Sequence, residues 1–286
     1  MRVLYIIGFC SITAAGLLWL GRCRLLRRKT ATFLAAAFLL AGSGALGAAV
    51  LPFGSLYGTT VNRLEELTGT PSAQDSSVSL SVAPSTLRSG PRIALTFDDG
   101  PYPPYTERLL DVLRAKGARA TFFIVAAQAE QYPALVRRMA AEGHTVGLHA
   151  YQHRDFLRLT AEEQERDLQT GKAVLASITG REVRFWRPPH GFRDLVGMRA
   201  AQRLGLQVVN WSLMPRDWTG IDKEEIFRRV REKARDGDIV LLHDGDSPYG
   251  VASRQPTVEA AALLIDSLRA AGYDVVSLEE GNRSGL

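Results

Sequence analysis

Residues 92–104 read RIALTFDDGPYPP, and this stretch decides the fold. Its first half is an apolar, alternating run that predicts a strand, and its proline-rich end fits neither a strand nor a helix. The strand therefore ends at two adjacent carboxylates, Asp98 and Asp99. Because neighbours on a strand point in opposite directions, we expect one to bind a cation and the other to act on a substrate. Asp-Asp-Gly alone is also common in ordinary turns, so the interpretation depends on residues downstream.

Beyond residue 91, strand-like runs alternate with helical patterns. The strand-like runs end near Phe97, Val125, His149, Arg187, Ser212, His243 and Leu278. The helical patterns cover residues 105–116, 133–141, 161–178, 194–204, 223–235 and 257–271. This alternation predicts an α/β domain with a parallel sheet and right-handed crossovers. An incomplete (β/α) barrel and an open doubly wound sheet both fit, and either would place the active site at the C-terminal ends of the strands.

Histidines lie at these strand ends. His149 closes the third strand and His153 follows on the loop, so both imidazoles can converge on a cation to which Asp99 adds an oxygen. Two histidines and one carboxylate, with positions open for water and substrate, are typical of a catalytic metal site. The donor set suits zinc first, and also cobalt, nickel or manganese. A His-x-x-x-His pair alone would be weak evidence, since surface histidines often fall four apart by chance.

Three further polar residues follow predicted strands. His243 ends the nearly continuous apolar run 238–243, which is typical of a buried parallel strand, and a histidine at its tip suits a general acid. Arg187 ends the fourth strand and Asp217 follows the fifth, where both would orient catalytic groups by ion pairing. Either of these two alone would more often form a salt bridge at the rim of the domain.

Together, five segments resemble, in order, the motifs of the polysaccharide deacetylase (NodB-homology) family, carbohydrate esterase family four. The segments are 96–100 (TFDDG), 149–153 (HAYQH), 187–191 (RPPHG), 217–218 (DW) and 241–243 (LLH). The resemblance covers about residues 91–280 and implies a distorted (β/α) barrel of seven parallel strands.

The resemblance also implies metal-assisted hydrolysis of the acetamide of an N-acetylated amino sugar, with acetate and a free amine as products. Asp98 would be the general base and His243 the general acid. One divalent ion, with zinc as the first choice, would be held by Asp99, His149 and His153. The sequence leaves open whether the glycan is peptidoglycan, a chitin-like oligomer or an exopolysaccharide.

The remaining motif residues would tune this site. Following the family, Arg187 would steady the base, Asp217 would order the side of the site near the acid, and the backbone N–H of His190 would help to hold the oxyanion. Trp218 and Leu241 would form the wall of the pocket that receives the acetyl methyl group.

Three residues depart from the family pattern, and two other functions stay open. Ala150 replaces a Ser or Thr that would brace the metal loop, His190 replaces a Tyr, and Met214 replaces the first Asp of the fourth motif. These changes concern substrate choice and rate more than reaction type. The alternatives are a deacylase of a lipid-linked sugar and a carbohydrate-binding pseudo-enzyme.

The N-terminal 53 residues predict a membrane hairpin. Residues 3–20 and 31–53 are apolar and uncharged, each close to the roughly 20 residues that a spanning helix needs. The basic loop 22–29 between them is expected in the cytoplasm, which places the catalytic domain on the extracytoplasmic side. A cleaved signal peptide is the alternative, and it also exports the domain.

Residues 54–90 are rich in Ser, Thr, Gly and Pro and predict a flexible linker before the catalytic domain, 91–280, and a tail, 281–286. The formal charge of +5 belongs to the N-terminus: six of the 35 basic residues lie in residues 1–30, which contain no acid, and the rest of the chain sums to −1. This distribution argues against nucleic acid as a partner.

Overall fold

The computed structural model describes residues 2–22, 28–50, 59–67, 90–245 and 253–283. Its strands are β1 (Arg92–Asp98), β2 (Thr121–Val125), β3 (Thr145–Ala150), β4 (Phe185–Trp186), β5 (Gln207–Val208), β6 (Asp238–His243) and β7 (Asp274–Val276). Its helices are α1 (Arg2–Arg22), α2 (Arg28–Val50), α3 (Tyr105–Ala115), α4 (Ala126–Gln131), α5 (Pro133–Ala141), α6 (Ala161–Thr179), α7 (Leu195–Arg203), α8 (Lys223–Arg231), α9 (Gln255–Ala270) and α10 (Leu278–Arg283).

All strand pairs in the described sheet are parallel, in the order β5-β4-β3-β2-β1-β6. β6 pairs along β1 from Ile93 to Asp98. The other edge of β1 is shared, because β7 pairs with residues 92–94 and β2 with residues 96–98. This arrangement confirms the predicted α/β class and its parallel sheet.

The two ends of the sheet meet, which decides between the two predicted architectures. Beyond β5, the backbone N–H groups of Ser212 and Leu213 donate to the carbonyl of Ile239 on β6, at 3.0 and 3.2 Å. The N–H of Leu241 donates back to the carbonyl of Leu213 at 2.9 Å. The strands therefore curl into a distorted, incomplete barrel rather than an open sheet.

Alternation along β1 divides the core into two parts. Leu95 and Phe97 pack outward with helix residues such as Leu109 of α3. Ala94 packs in a separate interior cluster with residues including Phe123 of β2. Asp98 lies in the same alternating register as Ala94, so β1 delivers a carboxylate to the upper end of the barrel interior.

The boundaries predicted for the catalytic domain need correction at both ends. Residues 59–67, predicted within the linker, lie against β5 and β6, and they include a single 3-10 turn at Leu64–Glu66. Residues 281–283, predicted as tail, belong to α10. The other residues of the predicted linker and tail, apart from Gly90, lie outside the described residues.

At the N-terminus, α1 and α2 pack against each other, with the small side chains of Ala14, Ala31 and Ala35 buried. Across the residues that the structure describes, no helix has both the length and the apolar character that crossing a membrane requires.

Candidate active site and metal centre

Both carboxylates of the opening motif face one site at the upper end of the barrel. β1 ends at Asp98, and Asp99 lies one residue beyond with a φ of 73°. The expectation that strand alternation separates the two is therefore wrong, because a left-handed turn, not the pleat, sets the direction of Asp99. A Cβ on Gly100 would lie 2.4 Å from an oxygen of Asp244, so only glycine fits this turn.

Asp99, His149 and His153 converge as predicted. The Nε2 atoms of His149 and His153 lie 3.3 Å and 3.2 Å from Oδ1 of Asp99. Ligand atoms of the three side chains all lie within 4.8 Å of one another. This cluster of donors is small enough to surround a single ion.

The protonation of His149 shows that the cluster fits a cation. Its Nδ1 lies 2.7 Å from the carbonyl oxygen of Arg187, which can only accept, so Nδ1 carries the proton. In the neutral ring, Nε2 of His149 then directs a lone pair toward Oδ1 of Asp99, and two acceptors at 3.3 Å repel each other unless a cation, either a metal ion or a proton, lies between them. Oδ1 of Asp99 is also buried without a hydrogen-bond partner among the described residues.

The charge of Asp99 supports the same fit. Burial raises the pKa of the Asp99 carboxyl, but the neighbouring imidazoles of His149 and His153 outweigh burial and hold that pKa well below its ordinary value. Asp99 therefore offers an anionic oxygen, the hard ligand that complements two imidazoles in a divalent metal site.

The loop between the two histidines is braced by Asp167, which sequence reasoning missed. The backbone N–H groups of Tyr151 and Gln152 donate to its two carboxylate oxygens at 2.7 and 3.3 Å. Asp167 lies on α6, whose start is fixed by a capping box between Thr160 and Glu163. A carboxylate from a distant helix thus braces the loop that lacks a hydroxyl at position 150, and no local motif marks it.

Arg187 is fully buried and holds Asp98. One guanidinium nitrogen donates to Oδ1 of Asp98 and to Oγ1 of Thr96, both at 2.7 Å. Nε donates to the carbonyl of Val209 at 3.2 Å, and the other terminal nitrogen donates to the carbonyl of Asn210 at 2.6 Å. Burial lowers the pKa of Arg187 by more than the neighbouring Asp98 carboxylate raises it. The guanidinium is thereby fixed on several sides, and it fixes Asp98 in turn.

His243 is held from behind by Asp217. Nδ1 of His243 lies 2.8 Å from Oδ1 of Asp217, and its backbone N–H donates to Oδ2 at 2.8 Å. The hydroxyl of Thr257 also donates to that Oδ2 at 2.9 Å. Burial lowers the pKa of His243, but the charge and hydrogen bond of Asp217 outweigh it, and the pKa is raised to about 9. The imidazole is therefore a proton donor at neutral pH.

This pairing predicts an alkaline limb of activity set by Asp217. We expect turnover to fall as the pH rises through about 9, because His243 then loses its proton. Asp217→Asn removes the negative charge that raises the pKa of His243. That pKa should then fall toward the ordinary value of about 6.5, and the alkaline limb should shift to lower pH by a pH unit or more. The measurement is the pH dependence of kcat, with the exposed Asp266→Asn as the matched control. An unmoved limb in Asp217→Asn would remove His243 from the acid role.

The other predicted site residues lie around this centre. His190 has a φ of 58° and packs edge-on against His153, with ring centroids 4.9 Å apart. Burial and the neighbouring histidines lower its pKa, so its side chain is neutral. Trp218 packs edge-on against His243 at 5.1 Å and is 38% exposed. Leu241 is buried two residues before His243, on the same side of β6.

A groove opens beside the cluster of Asp99, His149 and His153. It has a volume of about 680 Å³ and is lined by residues that include His153, His190, Phe192 and Arg154. Its size suits sugar units placed next to the three converging side chains.

The chain is similar in sequence to a family profile and to named deacetylases. The profile of the family described as "Polysaccharide deacetylase" matches residues 87–209. The chain is 38% identical over 190 residues to a peptidoglycan-N-acetylglucosamine deacetylase of Bacillus cereus, covering 66% of this chain and 86% of that protein. It is 35% identical over 209 residues to a chitooligosaccharide deacetylase of Sinorhizobium fredii, covering 71% of this chain and 97% of that protein.

A solved structure shows the same likeness in three dimensions. The Bc1960 peptidoglycan N-acetylglucosamine deacetylase aligns with a TM-score of 0.64 at 30% identity, covering 68% of this chain and 91% of that chain.

Proposed function

The chain belongs to the polysaccharide deacetylase family and is a hydrolase of N-acetyl amide bonds, and on this premise we propose that it is a metal-dependent N-deacetylase of an extracytoplasmic glycan. One observation carries the proposal. The Asp99–His149–His153 cluster lies at the same end of the barrel as an Arg187-held carboxylate and an Asp217-held imidazolium. These groups are a ligand set, a base and an acid.

In this proposal, Asp98 and His243 move the protons. A divalent ion on the three-residue cluster would supply Lewis acidity and an activated water. Asp98, held by Arg187, accepts the proton of that water as its oxygen adds to the acetamide carbon. The backbone N–H of His190 stabilises the developing oxyanion. His243 gives its proton to the sugar nitrogen as the C–N bond breaks, so a neutral amine and acetic acid leave, the acid then ionises to acetate, and the proton held by Asp98 returns His243 to its protonated form.

We place the acetyl methyl group between Trp218 and Leu241. Trp218 contacts the ring of the proposed acid, and Leu241 precedes that acid on the same side of β6. An apolar wall beside His243 would bring the scissile nitrogen close to the proton that it receives.

The substrate class is tested by acetate release from a panel of acetylated compounds. The relatives are named for peptidoglycan and chitooligosaccharides, so we expect the full chain to release acetate from one of these polymers. Release from a membrane lipid extract alone would instead support a deacylase of a lipid-linked sugar. Binding of a glycan without release by the metal-loaded protein would support a pseudo-enzyme.

We further propose that the N-terminal hairpin anchors the domain outside the cytoplasm. The support is the pair of apolar runs flanking a basic loop, and the exposure of large apolar side chains on α1 and α2, such as Phe9, Ile12 and Leu40. A reporter fused after residue 58 should be active only if it functions outside the cytoplasm. A cytoplasmic signal from this fusion would overturn the location without affecting the chemistry.

A further inference from the structure

Residues 59–67, here called the closing segment, lie in the gap between β5 and β6. The N–H of Val61 donates to the carbonyl of Val208, and the N–H of Asn210 donates to the carbonyl of Val61, both at 2.8 Å. On the other side, the N–H of Leu64 donates to the carbonyl of Gly237 at 2.8 Å. The segment thus pairs with both edges of the barrel where they do not pair with each other.

A buried carboxylate secures the segment to β6. Arg63 donates to Oδ1 of Asp238 at 2.7 Å, and the hydroxyl of Ser212 donates to the same oxygen at 2.7 Å. Asp238 is almost fully buried, and Ser212 belongs to the stretch that pairs with β6. One carboxylate therefore ties the closing segment to the contact that joins the two ends of the sheet.

The side chains of the closing segment fill the barrel interior below the active site. Val61 and Leu64 are each only 2% exposed, and both belong to the interior cluster that contains Phe123 and Val209. The guanidinium carbon of Arg187 lies 4.1 Å from the ring centroid of Phe123. Val61 and Leu64 therefore belong to the same packed cluster as Phe123, the ring against which the guanidinium of Arg187 lies.

The backbone next to Val61 accepts the hydrogen bonds of Arg187. Its guanidinium donates to the carbonyls of Val209 and Asn210, and the N–H of Asn210 is bonded to Val61. β5 ends at Val208. On the free edge of the chain just beyond it, Val61 pairs with Val209. Loss of the backbone hydrogen bonds of Val61 would therefore move the carbonyls of Val209 and Asn210, the two acceptors of the side chain that holds Asp98.

We propose that the closing segment is a positioning element for the catalytic base, acting through Val209 and Asn210 on Arg187 and through Arg187 on Asp98. The segment lies outside residues 87–209, which match the family profile. The inference rests on the proposed function, because its effect on activity is measured as acetate release. Since displacements of about 1 Å can cost about 100-fold in rate, a loosened Arg187 should be visible in kcat.

The test compares variants of the full chain, each assayed at a temperature at which it is fully folded. Val61→Pro removes the N–H donated to Val208, and Leu64→Ala empties part of the interior. Leu113→Ala is the matched control, since it removes the same atoms from a fully buried position in the outer core on α3. Val61→Ile keeps the hydrogen bonds and should retain parent activity.

We expect Leu64→Ala and Val61→Pro to lower kcat by about 10-fold or more, with KM and bound metal unchanged. Amide hydrogen exchange in residues 207–213 should rise in both variants and stay at the parent level in Leu113→Ala. An equal loss of kcat in Leu113→Ala, or unchanged kcat with faster exchange at 207–213, would overturn the inference. Absence of acetate release from the parent would instead overturn the proposed function, and the exchange data would still report whether the segment supports residues 209–210.

Discussion

Asp98→Asn should keep its metal and lose about 10²–10⁴ in turnover, the usual contribution of a positioned general base. The amide is nearly isosteric and can still accept from Arg187, whose nitrogen lies 2.7 Å from Oδ1, but it cannot take a proton from water. Asp98 is not among the three clustered ligands, so the affinity for metal should barely change. The measurements are metal per chain and the rate of acetate release.

Asp99→Asn and Asp266→Asn complete this comparison. Asp99→Asn should lose metal first and activity as a consequence, whereas the exposed Asp266→Asn should match the parent in both. The thermal midpoint of Asp98→Asn should be recorded as well, because weakening its buried ion pair with Arg187 can cost about 3–5 kcal/mol of unfolding free energy. If Asp98→Asn loses its metal while Asp99→Asn keeps metal and activity, the two roles are reversed.

His149→Ala and His153→Ala should each reduce bound metal well below one per chain and abolish activity. Each change removes one of the three ligands, and the remaining pair cannot enclose the ion. Excess zinc should restore activity only in part. Metal content is read by elemental analysis after gel filtration, alongside the rate of acetate release.

His144→Ala is the matched control for these two changes. His144 is buried at the start of the same chain segment, accepts a hydrogen bond from the backbone N–H of Ala120 and has a pKa lowered to about 4, chiefly by burial. It should lose stability but keep its metal. Parent metal content in His149→Ala and His153→Ala would mean that any ion lies elsewhere.

The parts of the fold marked by local patterns were predictable from the sequence. The buried strands β1, β2, β3 and β6 are runs of apolar residues, and six of the helices that follow β1 were expected within a few residues of their observed bounds, whereas the short helices α4 and α10 were not expected. The convergence of Asp99, His149 and His153 followed from strand ends meeting at one edge of a parallel sheet.

The parts fixed by long-range contacts were not predictable. The closing segment (TTVNRLEEL) has no Gly, Ser or Pro and its residues 61–67 could form a short helix, but it lies within a stretch rich in those residues, and only its pairing with β5 and β6 shows that it belongs to the barrel. Asp167 has no local motif, since its partners are backbone groups on a distant loop. The left-handed φ of Asp99 and the close approach of Gly100 to Asp244 lie past the end of β1, where alternation along a strand gives no direction.

One measurement tests the proposed reaction as a whole: acetate and free amine counted together as the full chain acts on N-acetylated chitooligosaccharide or peptidoglycan, before and after removal and return of zinc. We expect equal amounts of the two products, loss of both on metal removal, and recovery of both when zinc is returned. A metal-loaded chain that binds these glycans but releases neither product would contradict the proposal.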